Sequence, residues 1–286
     1  MKQGIVFFTL MTILFSGASF ASEDSTLEQI KKTGEIRIGY RKNEPPMSFL
    51  DKDNQPIGYS IELCLNVVKE VKILLKTPNI TVTYVPVTAS NRFDALIDNK
   101  IDILCGSTTK TLSRSELVDF TQLSFVTGAD LLSLKANRIA SVSSLKDKKV
   151  AVVKDTTTEA TLKSALKRLE SNAKVITVAS AKEGIKAVED GKVDAFSSDQ
   201  IILIGLIVTH EGSDKFILSD QVFSYEPFAL AVRRNDSEFR LIADRAISKL
   251  SRTGNITQVY KTWFGQYITE IPSLLGAVYM LNAIPE

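Results

Sequence analysis

Ala95-Leu96-Ile97-Asp98-Asn99-Lys100-Ile101-Asp102-Ile103-Leu104 and Ala187-Val188-Glu189-Asp190-Gly191-Lys192-Val193-Asp194-Ala195-Phe196 are two versions of one phrase. In each, a helical apolar pattern stops at Asn or Gly, residues that accept a left-handed backbone, and a strand pattern follows almost at once. Loops between helix and strand often look alike. The identical Lys-x-Asp in the same register favours a chain built from two pseudo-symmetric halves.

The surroundings of each copy repeat as well. Ahead of the first, residues 35–40 (EIRIGY) alternate as a strand, and residues 42–58 form a loop containing Pro45-Pro46. From Ser60 a helix places Ile61, Cys64, Leu65, Val68 and Val71 on one stripe. Residues 80–87 (ITVTYVPV) read as a strand, Ser90 as the cap of a helix with Phe93, Leu96 and Ile97 inward, and residues 101–107 as a strand. Around the second copy, 149–153 and 174–179 are strands, 160–169 and 181–190 helices, and 193–198 a strand. Both runs are βαβαβ, the pattern of a parallel sheet with crossover helices. A capping box at Ser25-Thr26-Leu27-Glu28 opens a short helix that Gly34 closes.

Two long extended segments, 126–135 and 227–234, lie between and after the halves. The chain therefore leaves one lobe, builds a second and returns, and helical residues 237–264, broken near Gly254, complete the first. Residues 273–281 read as a short packing segment. The expected fold class is α/β with two lobes, each a mainly parallel sheet flanked by helices, joined by two hinge strands. Residues 22–127 and 229–286 make the first lobe and 128–228 the second. Ligands of such sheets sit outside the carboxyl ends of the strands, so residues just past strands are the ones to inspect.

The amino terminus is addressing rather than fold. Lys2 precedes an eleven-residue apolar run (5–15), and Ser19-Phe20-Ala21 ends in small residues at the spacing of a cleavage site. That is a secretory signal peptide, residues 1–21, cleaved after Ala21, with a periplasmic product. The run is too short to span a bilayer. Charge and rare residues then exclude whole classes. With 35 Lys+Arg against 33 Asp+Glu, the formal charge of +2 argues against a protein that tracks nucleic-acid phosphates. One His and two Cys rule out zinc fingers and CxxC redox centres, and no Ser-His-Asp set or phosphate-binding glycine loop is present. No metal or cofactor is expected. Cys64 and Cys105 are open to two readings, a disulfide or two buried thiols.

The strand ends carry cations and hydroxyls. Cys105 is followed by Gly106-Ser107-Thr108-Thr109-Lys110 and then a helix containing Arg114, a set suited to a small anion. Asp155-Thr156-Thr157-Thr158 opens a helix in the other half, where capping is the simpler role. Asp199, just past a strand, suits an ammonium group or caps the next helix. Arg41 ends the first strand and Arg92 lies in a first helical turn. Cations and hydroxyls for anions, with one carboxylate for a positive charge, describe the complement of an α-amino acid.

These motifs resemble the extracytoplasmic polar-amino-acid-binding proteins of ABC importers, solute-binding family 3, and most nearly their glutamate/aspartate branch. The resemblance is carried by Ile38-Gly39-Tyr40-Arg41, Ile57-Gly58-Tyr59-Ser60, Ser90-Asn91-Arg92, Cys105-Gly106-Ser107-Thr108-Thr109 with Leu112-Ser113-Arg114, Val118-Asp119-Phe120-Thr121, and Trp263-Phe264. It implies the two-lobed type II periplasmic-binding-protein fold, a monomer, and a membrane permease as transient partner. It further implies that Arg114 holds the ligand α-carboxylate with Thr109 and with Thr156 or Thr157. The α-ammonium would meet Asp199, the Ser107 carbonyl and the Thr109 hydroxyl, and Arg41 and Arg92 would hold a side-chain carboxylate. Two departures stand out: Ala89 replaces a serine of that branch, and the segment from Ala181 to Ile185 lacks its histidine. The rival readings are an exported enzyme on the same scaffold, of cyclohexadienyl-dehydratase type, with Glu44 or Glu226 as the acid, and a sensor or adhesin using the same cleft.

Overall fold

The computed structural model describes residues 25–286; the signal-peptide reading lies outside the described residues. Ser25 caps α1 (Thr26–Thr33) through its hydroxyl, and Gly34 closes it in the left-handed conformation. The chain then forms β1 (Glu35–Tyr40), a small antiparallel sheet of β2 (Asn43–Glu44), β3 (Ser48–Leu50) and β4 (Pro56–Ile57), and α2 (Tyr59–Leu75). β5 (Thr81–Pro86), α3 (Arg92–Ile97) and β6 (Ile103–Cys105) finish the first half. β7 (Val118–Thr127) leads out to β8 (Ala129–Leu134), and β9 (Lys149–Val153), α4 (Thr157–Arg168), β10 (Lys174–Val178), α5 (Ala181–Glu189), β11 (Ala195–Asp199), α6 (Gln200–Thr209) and β12 (Phe216–Leu218) build the second half. β13 (Glu226–Arg233) returns, followed by α7 (Ser237–Arg252), α8 (Asn255–Phe264) and α9 (Ser273–Leu281).

The strand orders are β5-β1-β6-β13-β7 and β10-β9-β11-β8-β12. In each sheet the first three strands are parallel, the fourth runs against them, and the fifth, antiparallel to the fourth, runs with the first three again. Two α/β lobes of like topology are thus joined where β7 passes into β8 and where the chain re-enters β13. The crossings lie side by side: Ala129 N–H donates to Ser224 Oγ at 2.9 Å and Phe223 N–H to the Ala129 carbonyl at 2.9 Å. A Cβ on Gly128 would stand 2.4 Å from the Ser224 carbonyl oxygen, so only glycine lets the strands pass this closely.

The repeated phrase does the same work in both lobes. Asn99 and Gly191 take the left-handed conformation that ends α3 and α5. Asp102 N–H donates to the Arg37 carbonyl at 2.8 Å and its Oδ2 accepts Arg37 N–H at 2.7 Å. Asp194 makes the matching pair with Lys149, both at 2.8 Å. The aspartate extends the incoming strand's pairing with its neighbour by a side-chain bond, which sets the register of the lobe.

Three local expectations are corrected. Asn91, not Ser90, precedes α3, and the short helix turns Arg92 and Ala95 inward beside the expected Leu96, which leaves Ile97 exposed. The Arg114 segment is a single 3-10 turn, Arg114–Glu116, stopped at once by β7. The cysteines are resolved: Cys64 and Cys105 form a disulfide across a separation of 41 residues, which constrains the unfolded chain by about 4 kcal/mol. The tail does pack, with Leu275, Val278 and Tyr279 of α9 buried and Tyr279 Oη 3.0 Å from Tyr59 Oη. Among the described residues no helix is long and apolar enough to cross a membrane.

Candidate ligand site in the interlobe cleft

A cavity between the two sheets is lined by Arg41, Arg92, Ser107, Thr109, Arg114, Thr156, Thr157 and Asp199, together with Glu44, Thr158, Ser197 and Ile202. All eight residues singled out in the sequence therefore reach one wall or another of the same space. They arrive from the ends of β1, β6, β9 and β11, from the first turns of α3 and α4, and, for Arg114, from the 3-10 turn before β7. The lobes touch around it: Ser90 Oγ donates to Asp155 Oδ2 at 2.7 Å, and a Cβ on Gly205 of α6 would stand 2.2 Å from the Pro45 carbonyl oxygen.

The three arginines differ in how they are satisfied. Arg92 is only 3% exposed, and its Nε has no hydrogen-bond partner. Nη1 donates to the Ala89 carbonyl and Nη2 to the Asp155 carbonyl at 3.4 Å. Burial, and then the charges of Arg114 and Arg41, pull its guanidinium down to about 9. Arg114 Nη1 donates to the Thr109 carbonyl at 2.8 Å. Burial lowers its pKa too, against the opposing pull of Glu226 and Asp199. Arg92 and Arg114 both lie over the Phe93 ring, 4.6 and 5.5 Å from its centroid, so an aromatic face shares their positive charge. Arg41 is paired within the protein: its Nη2 lies 2.7 Å from Glu44 Oε1.

Asp199 supplies the opposite sign. It occupies the cap position of α6 without making the capping bond, so capping does not account for its side chain. Its Oδ1 is shut off from solvent and has no hydrogen-bond partner. Burial above all, then the nearby Glu226 and Glu44 charges, hold its carboxyl well above the ordinary range.

The hydroxyls are partly committed. Thr156 Oγ1 accepts Glu159 N–H at 3.1 Å and donates to the Val153 carbonyl at 2.7 Å, so its side chain is a helix cap. Thr109 and Thr157, from opposite lobes, both donate to Glu226 Oε2, at 2.6 and 2.7 Å. Ser224 donates to the other Glu226 oxygen at 2.7 Å. Glu226, 2% exposed at the start of the returning strand, was seen in the sequence only as a possible general acid. Its role as an acceptor for both lobes was hidden, because Thr109 lies 117 residues away. With its proton spent on Glu226, Thr109 Oγ1 has only lone pairs left for a further partner, and Thr157 and Thr158 lie in a helix first turn, where backbone N–H groups have no partner within the helix. Among the described residues no group of His, Cys, Asp and Glu is arranged to hold a metal ion.

The geometry has close counterparts. Residues 36–266 match the pattern of the bacterial extracellular solute-binding proteins, family 3. The chain belongs to that family. Among its relatives, the L-glutamate/L-aspartate-binding protein of Pseudomonas aeruginosa is 33% identical over 91% of this chain and 86% of its own length. The glutamate/aspartate import solute-binding protein of Escherichia coli (strain K12) is 30% identical over 84% and 80%. The fold also matches the crystal structure of an ancestral amino acid-binding protein, a precursor of cyclohexadienyl dehydratase. That match has a TM-score of 0.73 and 30% identity, covering 84% of this chain and all of the other. The two-lobed solute-binding-protein fold and the family are the chain's own.

Proposed function

We propose that this solute-binding protein is exported and captures a polar L-amino acid, glutamate or aspartate, in the interlobe cleft for delivery to an ABC-type permease. The observation that carries the reading is the balance of charge left after internal pairing. Arg41 is answered by Glu44, Glu226 is held behind Thr109, Thr157 and Ser224, and the charged side chains left lining the cavity are Arg92, Arg114 and Asp199. Two cations and one anion are the complement of two carboxylates and one ammonium.

In this reading Arg114 takes the α-carboxylate in bidentate fashion, supported by the N–H groups at the start of α4. Asp199 takes the α-ammonium with the Ser107 carbonyl and the lone pairs of Thr109. Arg92, through its unpartnered Nε, takes the side-chain carboxylate with Arg41 beside it. Residues 22–127 and 229–286 close against 128–228 about the paired crossings, and the ligand favours closure because it has partners on both lobes. The protein binds and releases its ligand unchanged; the matched relatives named above are binding proteins.

Calorimetry of the refolded, ligand-stripped chain against twenty amino acids tests the proposal. Glutamate and aspartate are expected to bind tightest, and tightest binding of a cationic amino acid, or of none, would overturn it. Arg41→Ala should weaken glutamate more than glutamine, by about tenfold, because it leaves Glu44 facing the ligand's carboxylate.

A further inference from the structure

The Arg41–Glu44 pair is built into the wall of the ligand cavity, not its surroundings. Both residues are buried, at 8% and 9% exposure, and both also line the larger cavity beyond, with Lys42, Thr88 and Ser180. Ser107 Oγ donates to Glu44 Oε2 at 2.6 Å, while Oε1 faces Arg41 at 2.7 Å. Each carboxylate oxygen keeps a further lone pair, and the guanidinium keeps further N–H groups. The wall therefore presents one acceptor and one donor side by side, with no net charge.

Such a wall does not favour a carboxylate as a lone arginine would. A ligand carboxylate gains from Arg41 and loses to Glu44, whereas a primary amide satisfies both, its carbonyl accepting from Arg41 and its NH2 donating to Glu44. We infer that Glu44 is a specificity-determining residue that admits the amides, glutamine and asparagine, beside the dicarboxylic amino acids. The inference rests on the amino-acid-binding reading above and sharpens its ligand class.

The experiment is calorimetric titration of glutamate and of glutamine into the wild type, Glu44→Gln, and the double variant Arg41→Gln/Glu44→Gln. The single variant keeps the shape and the Ser107 contact but frees the Arg41 charge. The wild type is expected to bind the two ligands within about tenfold of each other, and Glu44→Gln to shift the ratio toward glutamate by about tenfold or more. The double variant, again without net charge at the wall, should return the ratio to within about threefold of wild type, an outcome that a merely structural role for Glu44 would not produce. If Glu44→Gln binds both ligands with the wild-type ratio, or the wild type excludes glutamine altogether, the inference is overturned while the amino-acid reading stands. If Glu44→Gln does not fold, the double variant and the wild type decide: a wild-type ratio preserved in the double variant supports the inference, and loss of glutamine binding in the wild type overturns it. Failure of the wild type to bind either ligand overturns the reading beneath it and the inference together.

Discussion

The two lobes share a frame and divide the chemistry. Each is a βαβαβ unit whose third strand is tied to the first through the same Lys-x-Asp, with Asp102 and Asp194 making equivalent bonds. At the open ends of those strands the likeness stops. The first lobe brings Arg41, Arg92, Ser107, Thr109 and Arg114 to the cleft, and the second brings Asp199 and the hydroxyl-rich start of α4. The frame constrains where residues can act, and the residues at the strand ends decide what they act on. The division also means that neither lobe alone complements a zwitterion.

That contrast can be broken most forcefully at Arg114. Replacing it with Ala should abolish binding of every amino acid, a loss of about a thousandfold or more, since a buried ligand carboxylate would be left without its bidentate partner. Retained calorimetric binding near the wild-type affinity would remove the first lobe's claim to the anionic end. Asp199→Asn is expected to cost about a hundredfold for the same ligands. Here a second readout has the opposite sign. The folded chain binds the Asp199 proton more tightly than the unfolded chain does, so ligand-free stability is greatest below the ordinary carboxylate range and declines as pH rises toward the raised value. Asp199→Asn should flatten that decline and raise the ligand-free melting temperature at neutral pH. A variant that both binds poorly and melts lower would mean that Asp199 serves the fold. The last test concerns the shared frame rather than the ligand. Asp102 is fully buried with Arg37 and Arg233 on it, so Asp102→Asn should cost about 3 kcal/mol in urea unfolding. Asp194→Asn, at a half-exposed site, should cost about 1 kcal/mol. Equal costs would show that the two copies are equivalent in energy as well as in geometry.

The sequence was most legible where local patterns and long-range structure agree. The repeated phrase, the capped helices and the two extended crossings report the backbone, because helix periods, glycine stops and strand alternation are all short-range. The cluster of site residues was legible for a related reason, since a parallel sheet collects its strand ends whatever their distance in sequence. Partnerships between side chains were not. Glu44 follows Arg41 by three residues, but outside a helix that spacing implies no contact. Glu226 joins Thr109 and Thr157 only because the returning strand passes between the lobes. Ser90 reads as a cap by its residue type, yet its hydroxyl is used across the cleft on Asp155, where no pattern within one helix could point. Arg92 was expected as one cation among three; its burial and unpartnered Nε give it the larger share of the acidic-ligand case.

The disulfide has a consequence for each round of binding. On one face of α2, Ser60 Oγ donates to the Gly106 carbonyl at 3.0 Å, and one turn later Cys64 is bonded to Cys105. Two adjacent residues at the root of the 106–109 loop are thus fastened to a single helix, one covalently. The loop that presents Ser107 and Thr109 has little freedom left to lose when an amino acid arrives. Its ordering is completed once, when the two thiols oxidise, and every later capture starts from a surface already set.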